Sequence, residues 1–170
     1  NFEISIERSN TITDNGFDNV NFMISTNPGE PVRPLNKVAS GGELSRIMLA
    51  IKSILASEDE IDTLIFDEID TGISGKTATM VAEKMANISR HHQVICISHL
   101  SQIAAMADNH YLIEKKLENN STITNIKKLS GDESIEELVR INGDGTVSEA
   151  AISHAKEMKE MAERTKSYLI

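Results

Sequence analysis

Residues 36–52 read Asn36-Lys-Val-Ala-Ser-Gly-Gly-Glu-Leu-Ser-Arg-Ile-Met-Leu-Ala-Ile-Lys52, with a serine and two glycines directly ahead of a strongly helical run. Ser40 predicts a helix N-cap, and Glu43 sits where the second half of a capping box is expected. Apolar residues follow at helical spacing and predict one buried face: Leu44, Ile47, Met48, Ile51 and Leu55. Without Cβ atoms, Gly41 and Gly42 would let an anion, most often a phosphate, approach the N–H groups at the helix start. A capped amphipathic helix after a loop is the simpler interpretation of the same pattern.

The composition is that of an ordinary globular domain with an aliphatic core. Of the 170 residues, 39% are hydrophobic and 25% charged, but only 4% are aromatic. The net charge of −9 argues against general binding to nucleic acid, so any DNA contact must come from a local patch or from parts outside this chain. No apolar run approaches the length that spans a membrane, and no membrane partner is expected. The single cysteine, Cys96, fits a reducing cytoplasm and predicts a small buried hydrophobic side chain.

The first 24 residues predict an antiparallel hairpin of half-buried strands. Apolar and polar residues alternate over residues 2–6 and again over residues 20–24, on either side of the turn-prone Asp14-Asn-Gly16. Residues 26–37 hold all three prolines and predict a stiff loop. A chain that opens directly on a strand, without a basic start, is expected to lack a signal peptide and to be a fragment of a larger protein.

Strands and helices alternate after this region, which predicts an α/β fold with a parallel sheet at its core. Residues 61–66 and 94–97 predict buried strands, residues 76–90 a helix between them, and residues 101–107 a short helix. The consecutive apolar residues Leu64-Ile-Phe66 are typical of a strand covered on both faces.

The last third predicts an antiparallel hairpin followed by two helices. The hairpin would pair residues 111–117 with residues 122–129. A short helix is predicted over residues 132–141 and a longer one over residues 147–168. The longer helix carries a candidate apolar stripe: Ile152, Ala155, Met158, Ala162 and Leu169.

Two carboxylates and a histidine follow the two predicted parallel strands. Asp67 and Glu68 come directly after the first strand, and His99 after the second, so all three belong to the sheet edge where α/β proteins bind ligands. Asp67 would hold Mg²⁺ through water, Glu68 would polarise an attacking water, and His99 would donate a hydrogen bond to a phosphate. Acidic strand ends and a solvent-facing histidine are the structural alternative.

The other four histidines have no metal-ligand spacing and are interpreted as surface residues: His91, His92, His110 and His154. One further motif, Asp70-Thr-Gly-Ile-Ser-Gly-Lys-Thr77, ends like a phosphate-binding P-loop. Asp70 stands where the first glycine belongs, and a carboxylate there would repel phosphate. A self-contained P-loop enzyme using Gly75-Lys76-Thr77 therefore remains an alternative, but a less favoured one.

These motifs resemble those of ABC-type ATPases in order and spacing. Ala39-Ser-Gly-Gly-Glu43 resembles the signature motif, Leu64-Ile-Phe-Asp-Glu68 the Walker B strand, and His99 the switch histidine. Longer runs are similar to the SMC-like DNA repair branch of that family: Ile24-Ser-Thr-Asn-Pro-Gly-Glu30, Pro34-Leu35, residues 38–52, Phe66-Asp-Glu-Ile-Asp-Thr-Gly-Ile-Ser-Gly75 and Ser98-His-Leu-Ser-Gln102. The resemblance extends from about Gly16 to Ala155.

The resemblance implies that residues 1–170 form one domain, the C-terminal lobe of an ABC/SMC-type P-loop ATPase head. Such a lobe has a parallel sheet core with antiparallel β hairpins and flanking helices. Signature, Walker B and switch histidine would be present here, whereas Walker A and a coiled coil would lie in the part of the protein that precedes the lobe.

The implied activity is ATP hydrolysis that drives dimerisation with the second head of a homodimer. Recombinational repair of DNA double-strand breaks would be the role, with DNA bound through the full-length protein and other recombination proteins as further partners. The protein would work in the bacterial cytoplasm, at the nucleoid. A non-catalytic dimerisation module is a second alternative to this interpretation.

The resemblance also assigns roles to individual residues. Ser40, Gly41 and Gly42, with Glu43 in the same nucleotide-binding motif, would contact the γ-phosphate of ATP on the opposite subunit. In its own head, Asp67 would support Mg²⁺. The isolated chain, which lacks Walker A, is expected to be inactive.

Two further roles complete the set, and the sequence departs from the family in three places. Glu68 would be the catalytic base and His99 would sense the γ-phosphate. Glu43 replaces the usual Gln and Ala39 the usual Leu, and Ser74 stands where the D-loop aspartate is expected. The role of this D-loop is therefore left open.

Overall fold

A computed structural model describes residues 1–26, 29–37, 40–56, 58, 60–118, 121–143 and 148–168. The strands are β1 (Phe2–Thr13), β2 (Gly16–Ile24), β3 (Arg33–Pro34), β4 (Thr63–Phe66), β5 (Gln93–Cys96), β6 (Tyr111–Glu118) and β7 (Ser121–Lys128). The α-helices are α1 (Gly41–Leu55), α2 (Gly75–Ile88), α3 (Ser101–Met106), α4 (Gly131–Asn142) and α5 (Glu149–Tyr168), and a 3₁₀ turn covers Leu35–Lys37. Three residues named in the sequence analysis lie outside the described residues: Ala39, Val147 and Leu169. None of the described helices combines the length and apolar composition that crossing a membrane requires.

The centre of the fold is the parallel pair β4 and β5, joined by α2. Thr63 pairs with Gln93 and Phe66 with Cys96, so both strands end at the same edge. This confirms the predicted α/β fold with a parallel core. Side chains alternate along a strand, and one face of β4 is buried while Ile65 on the other face is 68% exposed. The prediction of a strand covered on both faces is wrong for the described residues, because the elements that pack on this pair lie on one side.

The main core is aliphatic, as the composition predicts, with one aromatic ring. Its buried members come from β4, from the loop after β4 and from α1 to α3, and β5 packs against them: Leu49, Leu64, Phe66, Ile69, Val81, Ala82, Met85, Ile88 and Ile103. A smaller cluster joins α3, α4 and α5 through Ala105, Leu138, Val139 and Ala155. The α5 stripe is thus partly confirmed, since Ala155 and Ala162 are buried.

Helix α1 is rotated away from the predicted orientation. Leu44, Met48 and Leu55 of the predicted buried face are 44%, 41% and 44% exposed, whereas Gly42 and Leu49 are buried. The cause is polar, because α1 donates side-chain hydrogen bonds to carbonyl groups of the loop that follows β4. A hydropathy pattern does not register such bonds, so the apolar stripe was assigned to the wrong side.

The N-terminal hairpin forms as predicted, but its apolar face is open. β1 and β2 pair antiparallel from Phe2 opposite Ile24 to Arg8 opposite Asp18. Phe2, Ile4 and Ile6 are 56%, 55% and 65% exposed, so the prediction that this strand is half-buried is wrong within this chain. Within the predicted stiff loop, β3 pairs with β2 through Arg33 and Pro34, at an edge where proline is tolerated.

The predicted C-terminal hairpin forms between β6 and β7. α4 starts with a full capping box that the sequence interpretation missed. The Ser130 hydroxyl accepts from Glu133 N, and the Glu133 carboxylate accepts from Ser130 N. The spacing Ser130-x-x-Glu133 is the signal that identifies it.

Candidate nucleotide site

An open cleft of about 270 Å³ lies at the carboxyl ends of β4 and β5. From the first strand it is lined by Asp67, Glu68, Asp70 and Thr71, and from the second by Ile97, Ser98 and His99. The parallel register explains this meeting, since residues that follow paired parallel strands emerge side by side. The structure thus brings the three predicted residues Asp67, Glu68 and His99 into one cleft, while their roles stay predictions.

Glu68 has an unusual backbone conformation at this edge. Its φ is +57°, in the left-handed region that residues with a Cβ adopt at some cost, and such strain is concentrated at functional sites. Its backbone N–H donates to Asp67 Oδ1 at 2.9 Å. The turn is closed by a hydrogen bond from Thr71 N to Glu68 O at 3.0 Å.

The two glycines of α1 lie directly against Glu68. A Cβ on Gly41 would lie 2.5 Å from Glu68 Oε2, and a Cβ on Gly42 would lie 2.7 Å from Glu68 O. Gly42 therefore has no room for a side chain against the backbone of the loop, whereas at Gly41 the only close atom belongs to the Glu68 side chain. The start of α1 and the predicted catalytic base form one structural unit.

The first turns of α1 also brace the loop that carries the carboxylates. Ser45 Oγ donates to Asp67 O at 3.0 Å, and Arg46 Nη1 donates to Ile69 O and Thr71 O at 3.0 and 2.9 Å. The sequence analysis did not predict this role of Ser45 and Arg46. The available indication was that both polar residues lie on the side of the helix away from the apolar stripe.

The N-cap of α1 differs in part from the prediction. Ser40 Oγ accepts from Glu43 N at 3.4 Å, as an N-cap should. The Glu43 carboxylate, however, accepts from Thr26 Oγ1 at 2.9 Å instead of completing a capping box. Glu43 therefore links α1 to the end of the first sheet.

Asp70 is the most buried of the acidic residues in the cleft, with 4% exposure. Its Oδ2 accepts from Ser98 Oγ at 2.6 Å and from His99 N at 2.9 Å, and His99 Nδ1 lies 3.0 Å away. Burial alone would raise the pKa of this carboxyl, but donation from Ser98 and His99 and the nearby imidazole lower it below the ordinary value. Asp70 therefore ties the loop after β4 to the end of β5 as a carboxylate.

The first residues of the P-loop-like motif are committed to contacts inside the chain. A cradle needs a run of free backbone N–H groups. Here Thr71 N and Ile73 N are donated to carbonyl groups of the same turn, and the Asp70 side chain points to β5. Lys76 lies in the first turn of α2, after Ser74.

Cys96, at the end of β5, packs at partial burial against the main core. Burial and the charges of Asp70 and Asp67 raise the pKa of its thiol to about 12, so the thiol stays neutral and unreactive at physiological pH.

Two of the four remaining histidines are not the surface residues that the sequence predicts. His92 is 7% exposed, with Nδ1 2.7 Å from Ile61 O and Nε2 3.0 Å from Ala56 O. His110 Nδ1 lies 2.8 Å from Ser134 Oγ, and burial, followed by the charge of Lys159, lowers its pKa. Both rings lie inside the fold because their nitrogens have polar partners there, and a hydropathy pattern does not predict such partners. The other two, His91 and His154, are exposed as predicted.

Among the described residues, no three or more Asp, Glu, His or Cys side chains are grouped to hold a metal ion by themselves. Mg²⁺ in nucleotide sites takes only one or two protein carboxylates and fills its shell with water and phosphate oxygens. Asp67, which borders the open cleft and uses Oδ1 to accept from Glu68 N, fits that requirement.

Comparison with known proteins finds relatives that share one name. No family model matches the chain. It is 49% identical over 156 residues to the DNA repair protein RecN of Bacillus subtilis (strain 168), which covers 92% of this chain and 27% of that protein. For RecN of Halalkalibacterium halodurans the identity is 47% over 161 residues, with 95% of this chain and 28% of that protein covered. The chain matches one segment of RecN.

RecN of Treponema pallidum (strain Nichols) is 48% identical over 143 residues, covering 84% of this chain and 25% of that protein. The chain thus spans about a quarter of the length of the RecN proteins it matches. These identities confirm the SMC-like DNA repair resemblance that the motifs predict.

Solved structures show the same fold. The SMC head domain of Pyrococcus yayanosii, solved with a coiled coil and joint, has a TM-score of 0.54 at 22% identity, covering 76% of this chain and 23% of that one. A structure from work on ATP-driven dimerisation and DNA-stimulated activation of SMC ATPases has a TM-score of 0.51 at 19% identity, covering 84% and 83%. The fold is therefore that of a lobe of an SMC-type head, as predicted.

Proposed function

We propose that this chain is the C-terminal lobe of an ATP-hydrolysing head in a RecN-like protein that acts in recombinational repair of DNA double-strand breaks. The observation that carries the proposal is the meeting of Asp67, Glu68 and His99 in one cleft of a chain 49% identical to RecN. ATP is the substrate. Bound ATP would hold two heads together, and its hydrolysis would release them.

Glu68 is the proposed general base. Its carboxylate borders the open cleft and would accept a proton from the water that attacks the γ-phosphate. The left-handed backbone at Glu68, closed by the hydrogen bond from Thr71 N to Glu68 O, fixes the point at which the side chain leaves the loop. Such preorganisation is what a base needs to act without a costly rearrangement.

Asp67 and His99 would serve the phosphates. Asp67 would hold Mg²⁺ through water, and the ion, when bound, neutralises charge on the transferred phosphoryl group. His99, whose side chain is 77% exposed toward solvent, is free to meet the γ-phosphate from the β5 side.

The residues at the start of α1 would act on ATP held by the second head of a homodimer. Ser40, Gly41, Gly42 and Glu43 form the helix N-terminus, where backbone N–H groups and the helix dipole favour phosphate. Arg46 and Ser45 connect this helix end to the loop that carries Asp67 and Glu68. Phosphate bound at the start of α1 would thereby influence the position of Asp67 and Glu68 in the same chain.

Open apolar surfaces support the proposal that the lobe is one part of a larger head. Large apolar side chains are exposed on β1 and β2, on the stripe of α1 and on the free face of β4 and β5. Parallel strands are ordinarily covered on both faces. The Walker A lysine and a coiled coil would belong to the section of protein that covers them.

Location and further partners follow from the same proposal. The protein would work in the bacterial cytoplasm at the nucleoid, contact DNA through other parts of the full-length molecule, and meet other recombination proteins there. The chain's own net charge of −9 agrees with DNA contacts that lie elsewhere.

The test is Glu68→Gln in the full-length protein, with Glu60→Gln as a matched control outside the cleft. Loss of a general base lowers kcat by roughly 10²–10⁴-fold, while ATP binding is kept and the ATP-bound dimer accumulates. ATP turnover and dimer mass would be measured together. A normal rate in Glu68→Gln would refute the assignment of the base, and turnover by the pure 170-residue chain, abolished in Lys76→Ala, would favour the P-loop alternative.

A further inference from the structure

Asp70 has no role in the function proposed above, yet it makes the densest set of polar contacts in the cleft. Its carboxylate is 4% exposed, and a single oxygen, Oδ2, receives Ser98 Oγ, His99 N and His99 Nδ1 within 3.0 Å. Burying a carboxylate is costly unless it is well paired. A buried carboxylate at this position therefore needs an explanation beyond a turn residue.

The contact with the imidazole is the informative one. Nδ1 and a carboxylate oxygen 3.0 Å apart would repel each other as two lone pairs, so this contact favours the ring form that carries its proton on Nδ1. The tautomer of a histidine is set by the partner of one ring nitrogen, and the other nitrogen is left for chemistry. For His99, that leaves Nε2 as the nitrogen available to the cleft.

The exposure of the two partners differs sharply. The His99 side chain is 77% exposed, so packing does not fix its ring, whereas Asp70 is buried and held by Ser98 Oγ and His99 N. The rigid partner is therefore the carboxylate. An exposed ring attached to a rigid carboxylate keeps one orientation, which a ring in open solvent does not.

We propose that Asp70 is a positioning residue that holds His99 by Nδ1 and presents Nε2 to the γ-phosphate. This inference rests on the proposed function for its role in turnover. The tautomer of His99 does not depend on the proposed function, because it is a property of the chain itself.

The first experiment reads the tautomer of His99 by long-range ¹H–¹⁵N NMR on the 170-residue chain. The wild type should show a protonated Nδ1, and Asp70→Asn should lose most of that form. Ser98→Ala is the matched control, because it removes one donor to the same oxygen without touching the imidazole, and it should keep the wild-type tautomer. A protonated Nε2 in the wild-type neutral ring, or an unchanged ring in Asp70→Asn, would overturn the proposal.

The second experiment measures ATP turnover by the full-length protein in a double-mutant cycle. Asp70→Asn should lower kcat by roughly 10–100-fold, the range for partners that orient a functional histidine, with KM for ATP little changed. Since Asp70 acts through His99, Asp70→Asn combined with His99→Ala should lose no more than His99→Ala alone. If the fold-losses in kcat of the two single variants multiply in the double variant, Asp70 acts independently of the imidazole and the proposal is overturned.

Asp70→Glu guards both experiments against a folding failure of Asp70→Asn. It keeps the charge, so it should retain more of the protonated Nδ1 form and more of the turnover than the amide variant. Equal behaviour of the two variants would count against a role for the carboxylate. If the full-length wild type hydrolyses no ATP, the proposed function fails, and the NMR experiment still decides the Asp70–His99 contact.

Discussion

The paired substitutions Gly41→Ala and Gly42→Ala test the close packing of α1 against the loop that carries the carboxylates. On Gly41 the added Cβ would meet the Glu68 side chain, with Oε2 at 2.5 Å and Cδ at 3.7 Å, which is the far end of a flexible side chain. On Gly42 it would meet Glu68 O at 2.7 Å, together with Arg46 Nη1 and Thr71 Cβ, both at 3.0 Å. A backbone carbonyl cannot rotate away, so the two neighbouring glycines should respond differently.

The magnitudes follow from two opposing effects. Replacing glycine by alanine in a helix stabilises it by roughly 0.5–1 kcal/mol, and this gain applies to both positions. Overpacking costs about 1–3 kcal/mol and applies only to Gly42, because the Glu68 side chain can move out of the way of Gly41. The common gain cancels in the comparison, so Gly42→Ala should be about 1–3 kcal/mol less stable than Gly41→Ala.

Urea unfolding of the 170-residue chain measures this difference, provided that both variants keep the m-value of the wild type. Gly41→Ala should unfold at the wild-type urea concentration or above it, and Gly42→Ala clearly below. Equal midpoints would show that the loop yields to the new methyl group, and the argument that α1 and Glu68 form one rigid unit would be wrong. In the full-length protein, Gly41→Ala should still lower ATP turnover, because the displaced carboxylate is the proposed base.

Four further outcomes are expected. His92→Ala should lower the free energy of unfolding by about 1–3 kcal/mol, since the buried ring and its contacts with the Ile61 and Ala56 carbonyls are lost. Urea unfolding measures this loss, with His91→Ala at the exposed neighbour as the control. Ser130→Ala should cost about 0.5–2 kcal/mol by the same assay. Cys96 should resist iodoacetamide at pH 8 until the chain is unfolded, because its thiol pKa is raised to about 12. The pKa of Asp70 is lowered from 3.8, so its contribution to stability is present above that value and is lost as the pH falls below it, and Asp70→Asn should remove this loss in acid unfolding.

The topology could be predicted because it depends on patterns that local sequence records. The alternation in β1 and β2, the apolar runs of β4 and β5 and the helical run between them predict the elements and the parallel core. The same patterns place Asp67, Glu68 and His99 at strand ends, and a parallel register then brings them together.

What the sequence did not predict depends on polar contacts between distant residues. The rotation of α1 is set by hydrogen bonds from Ser45 and Arg46 to the loop after β4, more than 20 positions along the chain. The ring of His92 can be buried because the Ile61 and Ala56 carbonyls, more than 30 positions earlier, lie within hydrogen-bond distance of its nitrogens. Apolar periodicity carries no information about such partners, so it assigned the buried face of α1 incorrectly.

The apolar stripe of α1 nevertheless had a physical basis. Leu44, Met48 and Leu55 share one helix face, as predicted, but within this chain that face is open. Exposed apolar faces of this extent ordinarily mark contacts with another part of a protein. The periodicity therefore describes a face meant for burial by the rest of the proposed head, while the opposite face is committed to the carboxylate loop. One helix would then have both of its sides engaged, and its N-terminus would be held at a fixed distance from Glu68. Under the proposed function, the helix end would serve a phosphate and the proposed base from the same few ångströms of backbone, with Gly42 against the backbone of Glu68 and Gly41 against its side chain.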